Sequence, residues 1–540
     1  VPPDHSYDAA TVNDKELERT VPSLDMTLSR PRRRTALLAA AAALAFAGCG
    51  DSGSGKGNAG GDPASIAPKT SVAFVEGKIR PDGAQKTAIL DVVRKLGNVQ
   101  DPAKLIQDTL TKQLAKNKVD YKKDIEPVLG DRAGVAITAL GSGNATKTAT
   151  IVAVKDEGKA KDLLIRTASG KLSKSSYNGV EVLSNSGSAN QATTVKGFLV
   201  LGAPESVRAV IDASKSDGLG SVPAYKDVAA ANQGKLAFGY LDLKGLLNGL
   251  GASGSLPAGQ ASALTATLGT QLQPVGLSLD VAKNAITFEA SAQGQPKATQ
   301  VQSSLLPELP GDSFVAIGIP TLGASIKQQI DQVGSGLGGG AVTAVEQQLK
   351  AQTGIDLNSA LATVGDVALF ARGDNPVTIG GGLVAAVSDA AAAKRLLAAL
   401  AKLAVQQGKA DRIKAQPTKV DGGEGYELTS PKLPGAVFAV VAGKKLLITY
   451  GRPALDAALR PASALGDAAD YKSAVASLSG AVPALYVAFA PIAKLVAASS
   501  STSNPKTAEV QRVLGQLTTL AAGGKAEGSR AIGRLVLALK

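Results

Sequence analysis

The chain has 540 residues, with 58 Lys and Arg against 45 Asp and Glu, a net charge of +13, one His, one Cys, one Met and no Trp. His5 and Cys49 both lie in the first 49 residues, so residues 50–540 contain neither type. That rules out a Ser-His-Asp or Cys-His centre, thiolate or histidine metal sites and disulfides in that long stretch.

Residues 1–25 carry Asp4, Asp8, Asp14, Glu16, Glu18 and Asp25 against Lys15 and Arg19. An acidic, polar extension does not suit the front of an export signal, so translation is expected to begin at Met26 and 1–25 to be an over-called upstream segment. Residues 26–48 then read as a signal peptide. Arg30, Arg32, Arg33 and Arg34 form its cationic start, and Thr35 to Phe46 its apolar run. A dozen helical residues span about 18 Å, short of the ~30 Å hydrocarbon core, so the run is not a membrane span. Ala47-Gly48-Cys49 follows. This order resembles the lipobox of bacterial lipoproteins, with Phe46 where Leu is usual. The resemblance implies lipid attachment at Cys49 and a place on the extracytoplasmic face of the cell membrane.

Residues 49–64 are a Gly/Ser tether with no apolar period. Gly50 to Lys56 has the outline of a phosphate-binding loop, but Gly57 stands where Ser or Thr would hold magnesium and no strand precedes it. Residues 65–300 carry 28 basic against 20 acidic side chains and 301–540 carry 23 against 17, so the excess charge is spread over both halves. Its densest patch, Lys112, Lys116, Lys118, Lys122 and Lys123, reads as a solvated helix face and loop. Its sharper reading is contact with anionic headgroups or wall polymers. Aromatic residues make up 3% and do not alternate with basic ones, which argues against nucleic acid.

Two long segments then echo one another at offsets between 233 and 248. Pro68 with Ser71 to Val75 matches Pro310 with Ser313 to Ile317. Leu129-Gly130-Asp131 matches Val364-Gly365-Asp366, and both Gly-Asp pairs read as turns before a strand. Val152 to Val154 with a following helix at Lys161 matches Ala385 to Val387 with Lys394. Gly179-Val180-Glu181 matches Gly425-Tyr426-Glu427. Leu219-Gly220 and Tyr225-Lys226 match Leu465-Gly466 and Tyr471-Lys472. The aromatic pairs Phe74 with Phe314, Tyr225 with Tyr471 and Tyr240 with Tyr486 read as core. The expected fold is α+β, two tandem related units at 65–295 and 300–540, each a mostly antiparallel sheet with packed helices.

In chain order, apolar periodicity predicts helices at 84–97, 102–116 and 121–129, then strands at 148–154, 195–201 and 235–241. In the second unit, Asp389 should cap a helix to 406 with Gly408 beyond it, and Ala442-Gly443-Lys444 should turn a hairpin inside 436–450. Each unit should close with a strand pair, 275–281 with 285–292 and 525–529 with 530–539. Segments 184–193, 250–260 and 334–340 read as irregular, the last as a mobile glycine loop. Gly334 to Gly339 fits G-x-G-x-x-G but follows a helix. Ser503-Asn504-Pro505-Lys506 fits S-x-x-K, with a proline opposing the helical turn such a pair needs.

Ile66-Ala67-Pro68 through Phe74, followed by Ile79-Arg80-Pro81-Asp82-Gly83-Ala84-Gln85-Lys86, resembles the start of the bacterial family known as domain of unknown function 3352. The resemblance implies an exported, uncharacterised protein and supplies no catalytic residues, cofactor or metal. The residues themselves favour a non-enzymatic membrane-anchored lipoprotein. It would bind a lipid, glycan or envelope protein in a cleft between the units, or act as a scaffold. The other reading is a histidine-independent hydrolase of the Ser/Lys or two-carboxylate type, which would show a buried Lys beside a Ser or paired carboxylates in a cleft.

Overall fold

The computed structural model describes residues 61–540, apart from 116–118, 142–145, 169, 270–271, 295–301, 338–345, 348–349, 352–353, 355, 376 and 500–504. Met26, the signal segment, Cys49, most of the tether, Lys116, Lys118, Ser503 and Asn504 lie outside these residues. Up to residue 292 the chain forms β1 (Ala73–Lys78), α1 (Gly83–Gly97), α2 (Pro102–Ala115), β2 (Leu129–Leu140), β3 (Thr146–Val154), α3 (Glu157–Thr167), β4 (Leu172–Tyr177), β5 (Val180–Asn185), β6 (Gln191–Val195), β7 (Phe198–Gly202), α4 (Pro204–Lys215), α5 (Pro223–Ala231), β8 (Ala237–Leu241), α6 (Leu243–Ala252), α7 (Ala258–Leu268), β9 (Val275–Ala282) and β10 (Ala285–Ala292). From 313 onward follow β11 (Ser313–Ile319), α8 (Leu322–Leu337), α9 (Leu357–Thr363), β12 (Val364–Arg372), β13 (Gly380–Val387), α10 (Ala390–Gln407), β14 (Lys414–Val420), β15 (Gly423–Thr429), β16 (Val437–Ala442), β17 (Lys445–Tyr450), α11 (Arg452–Leu459), α12 (Ala469–Ser477), β18 (Val482–Ala488), α13 (Phe489–Ser499), α14 (Pro505–Gln516), β19 (Leu517–Glu527) and β20 (Arg530–Leu539).

The fold is α+β, and the strand pairings are antiparallel. Spatially the strands run β4-β5-β6-β7-β3-β2-β1-β8-β9-β10, then β20-β19-β18-β11-β12-β13-β17-β16-β15-β14. The second ten strands repeat the neighbour order of the first ten. The sheet continues across the joint, where β10 and β20 pair along eight residues from Ala285↔Ala538 to Ala292↔Ala531.

Strand alternation sends neighbouring side chains to opposite faces. On one face, called here the covered face, lie two large cores. One gathers Phe74, Ala136, Ile151, Val200, Tyr225 and Tyr240 beneath α4 and α5. The other gathers Ala316, Phe370, Val440, Leu447, Tyr471 and Tyr486 beneath α11 and α12. At the outer strands the other face is also packed: Ala393 and Leu397 of α10 meet Ala439, Val441 and Leu446, and Ala160 of α3 meets Val128 and Val154. Tyr225 is the hub of the first core, with ring centroids 5.9 Å from Phe74, 6.1 Å from Phe238 and 5.6 Å from Tyr240. Gly134 makes room for that cluster, because a Cβ there would lie 2.6 Å from Phe74 Cζ. Tyr471 and Tyr486 form the corresponding edge-on pair at 5.3 Å.

The Asp389 cap forms as expected, its carboxylate accepting from the Ala391 and Ala392 amides. The hairpin at Gly443 forms too, with φ of 57° at that residue. Elsewhere the structure corrects the reading of the sequence. Residues 121–125 make a single wide helical turn and Leu129 already starts β2, so no third helix reaches 129. Gly130-Asp131 and Gly365-Asp366 lie inside β2 and β12 rather than before them, in the bulges between Leu129 and Ala133 and between Val364 and Val367. Much of 184–193 is strand: β5 ends at Asn185 and β6 starts at Gln191, the Thr and Gln side chains being tolerated at a sheet position. In 250–260, α6 runs to Ala252 and α7 starts at Ala258. Helix α8 continues through Gly334 and Gly336 to Leu337, so the glycine run there is helical rather than a loop, and 338–340 lie outside the described residues. Strand β19 starts at Leu517, well before 525. Phe74 stands opposite Tyr240, but Ala316, not Phe314, stands opposite Tyr486: the spacing that matches Pro68 with Pro310 and Ser71 with Ser313 carries Phe74 to Ala316.

One charge is built into the first core. The Glu76 side chain is wholly buried, pairs through Oε1 with Arg132 and accepts from the Tyr225 hydroxyl at 3.1 Å. Burial of a carboxylate is tolerated only with such partners. Replacing Arg132 by Met should cost about 2–3 kcal/mol in urea unfolding by stranding that carboxylate. Adding Glu76→Gln to Arg132→Met should return most of the loss.

Candidate functional site

The two faces of the central sheet divide their chemistry in an unusual sense. An antiparallel sheet with one free face normally shows apolar residues inward and polar residues outward. Across the joint, one row on the covered face reads Glu76, Phe238, Ser278, Glu289, Arg534, Gly523. The adjacent row on the other face reads Val75, Gly239, Leu277, Ala290, Gly533, Gly524. The next row on that face reads Leu279, Phe288, Leu535, Ala522. In β1, β8–β12 and β18–β20 the charged residues fall in the register of the covered face, apart from Asp366, which lies in the bulge before Val367. The other face carries apolar side chains and stays open: Val75 is 53% exposed, Leu277 47%, Phe288 48%, Val135 39% and Leu369 36%.

The charges on the covered face are held in place. Glu289 Oε2 accepts from Arg534 Nη2 at 2.6 Å and Nε at 3.0 Å across the β10–β20 joint, with both side chains about 15% exposed or less. Lys235 pairs with Asp280 at 3.3 Å and Arg372 with Asp312 at 2.6 Å. Glu527 lies between Lys525 and Arg530, and hydrogen bonds from these two cations hold its carboxyl below the usual range. Burial pushes the Tyr225 hydroxyl well above its ordinary value and that of Tyr486 up to about 12. These groups are locked, neutral or paired, and offer no free acid or base.

Over the joint the open face is hollowed into a groove with two stretches. One, of about 430 Å³, is lined by Leu277, Phe288, Ala290, Ala522, Gly533 and Leu535. The other, of about 480 Å³, shares Ala290 and Gly533 with it and continues to Val275, Ala292, Ala526 and Ala531. Small residues make the hollow: nothing nearer than 4.0 Å would meet a Cβ at Gly533. At its outer end the groove is bordered by Ser303 and Pro320. Asp366 fixes that border, accepting from Ser304 N at 2.7 Å and Thr321 N at 3.0 Å. Partial burial works to raise the Asp366 pKa, but the Thr321 and Ser304 amides outweigh it and the net shift is downward.

A family profile described as a protein of unknown function, DUF3352, matches residues 35–525. The chain belongs to that family. No curated protein sequence matches this DUF3352 member. Three solved crystal forms of TP0453 are similar to it in part. Form I shares 10% identity with a TM-score of 0.25, covering 45% of this chain and 82% of its own. Forms IV and III give 8% and 10% identity, TM-scores of 0.24, and 45% and 44% of this chain against 84% and 81% of theirs. A likeness at that level carries no argument about what this chain does.

The DUF3352 structure brings few of the residues marked from sequence into one place. Cys49 is outside the described residues, and Lys112, Lys122 and Lys123 lie far along the chain from the groove strands. Among the described residues no cluster of three His, Cys, Asp or Glu side chains could hold a metal, and no helix is long and apolar enough to cross a membrane. A cleft between the two halves was expected, but the residues that line this groove were not marked. The available signal was the strand Arg530 to Leu539, whose odd positions are all apolar or glycine and whose even positions are apolar apart from Arg530 and Arg534, so that one apolar face must stay uncovered unless a helix is found for it. Replacing Asp366 by Asn should lower stability by about 1 kcal/mol at neutral pH. Because the Asp366 pKa is depressed on folding, its contribution is present above the ordinary carboxylate range and is lost as pH falls through the folded value. The variant should therefore show a shallower acid limb in unfolding midpoints taken from pH 7 to 2.

Proposed function

We propose that this DUF3352 protein is a non-enzymatic, membrane-anchored lipoprotein that binds lipid hydrocarbon on the open face of its central sheet, outside the cytoplasm. The observation that carries this reading is the division of the sheet: charges turned to the helix-covered face, apolar side chains left open over the joint. Contiguous exposed apolar surface of this kind marks a binding surface rather than ordinary exposure. A groove of a few hundred cubic ångströms suits a lipid chain, ligand pockets running from ~300 to 1,000 Å³. The carboxylates of the central strands are engaged by cations or amides on the covered face, which gives a two-carboxylate hydrolase nothing to work with at the groove. A glycan would want hydrogen-bonding side chains beside its stacking surface, and these rows offer the Phe288 ring with no polar side chain next to it on the same face.

Cys49 supplies the anchor in this reading. Mass spectrometry of protein from the native membrane should find a chain beginning at Cys49 with a diacylglyceryl group, and Cys49→Ser should release the protein. An intact chain through residues 26–48 would refute that part. For the binding surface, Leu277→Glu and Phe288→Glu can be introduced at half-exposed positions without opening a core. Each should weaken binding of a fluorescent long-chain fatty acyl probe by tenfold or more while leaving urea unfolding almost unchanged. Undiminished probe binding in both would sink the lipid reading and leave a scaffold.

A further inference from the structure

The lipid reading does not say how a ligand would lie, and the groove is not the same at its two ends. Its inner stretch exposes no polar atoms, and is bounded by the larger side chains Leu277, Phe288 and Leu535. Its outer stretch, toward Ala292 and Ala531, includes polar atoms in its lining and ends at the turn-side border held by Asp366. The two meet over Ala290 and Gly533, register partners across the joint, neither of which has a side chain beyond Cβ.

Strand pairing makes this gradient directional. Phe288 pairs with Leu535, Ala290 with Gly533 and Ala292 with Ala531, so the step from bulky to small follows the strands toward one edge of the sheet. Four residues of strand cover about 14 Å, enough for a substantial part of an acyl chain lying parallel to β10 and β20. A uniform apolar patch would accept a chain in either sense. A polarity gradient favours one, since burying a polar group in the inner stretch would leave it without a partner.

We infer that the groove binds a single-chain amphiphile lengthwise along β10 and β20, its methyl end against Leu277, Phe288 and Leu535 and its polar head at the Ala292/Ala531 edge. This rests on the lipid reading above and adds the ligand class, one acyl chain with one polar head, and its orientation.

The test uses the full chain with isotope-labelled methyl groups and stearic acid carrying a nitroxide at carbon 5 or at carbon 16. The carbon-16 label should broaden the Leu277 and Leu535 methyl signals most, and the carbon-5 label those of Ala292 and Ala531. Gly533→Leu has room for its side chain and fills the junction. It should reduce affinity for an 18-carbon chain at least tenfold while changing that for an 8-carbon chain less than threefold. The reversed pattern, equal broadening by both labels, or an equal loss for both chain lengths would overturn the orientation while the lipid reading stands. No binding of either labelled acid would overturn both.

Discussion

The antiparallel pairing of β10 with β20 is the constraint on which the rest depends. It joins ten strands to ten strands in one sheet and fixes the parity of every residue across the joint. A slip of one residue would exchange the faces of all the strands beyond it. Arg534 would then project into the groove beside Phe288, and Leu535 into the helical layer beside Glu289. The short ion pair between Glu289 and Arg534 is made only in the observed register, so it selects that register while neutralising two charges on the covered side.

With the parity fixed, the cost of the arrangement becomes visible. Charges beneath a helical layer lose water and have to be repaid with partners. Glu76 has Arg132 and Tyr225, Asp280 has Lys235, and Glu527 has two cations. The sheet thus spends ion pairs on its covered face while leaving large apolar side chains in water on the other, the reverse of what stability alone would favour. A surface that gives up folding free energy in this way is what the proposed lipid binding would account for. The halves are not identical in this respect. The strand position of Glu76 corresponds to Gly318, since Ala316 holds the place of Phe74, and Gly318 borders the groove. Among the described residues the Tyr471 hydroxyl, in the place of Tyr225, has no hydrogen-bond partner.

Much of the element layout could be read from the chain because its signals are local. Asp389 and Gly408 bound α10 by capping chemistry, and Gly443 turns its hairpin through a left-handed dihedral. The errors fell where sheet pairing overruled a local preference. Gly130-Asp131 and Gly365-Asp366 look like turns and lie in bulges within strands, and Thr193, inside a segment read as irregular, is buried and bonds to Glu181 O at 2.7 Å. The Phe314 match failed by two residues because it followed the aromatic type, whereas the strand register keeps the spacing from Ser71 and Ser313, which puts Ala316 in the place of Phe74.

The sequence alone determined the family, the α+β class, the exclusion of histidine and thiol chemistry beyond Cys49, and the echo between the two halves. Each of these depends on which residues are present and in what order. The groove was decided only by tertiary structure. Leu277, Ala290, Gly533 and Ala522 come from strands as far apart as residues 277 and 533, and nothing in their local sequence marks them as neighbours. Whether an apolar strand face is buried or open depends on whether a helix lies over it. Over the outer strands α3 and α10 do; over the joint Leu277 and Phe288 remain about half exposed.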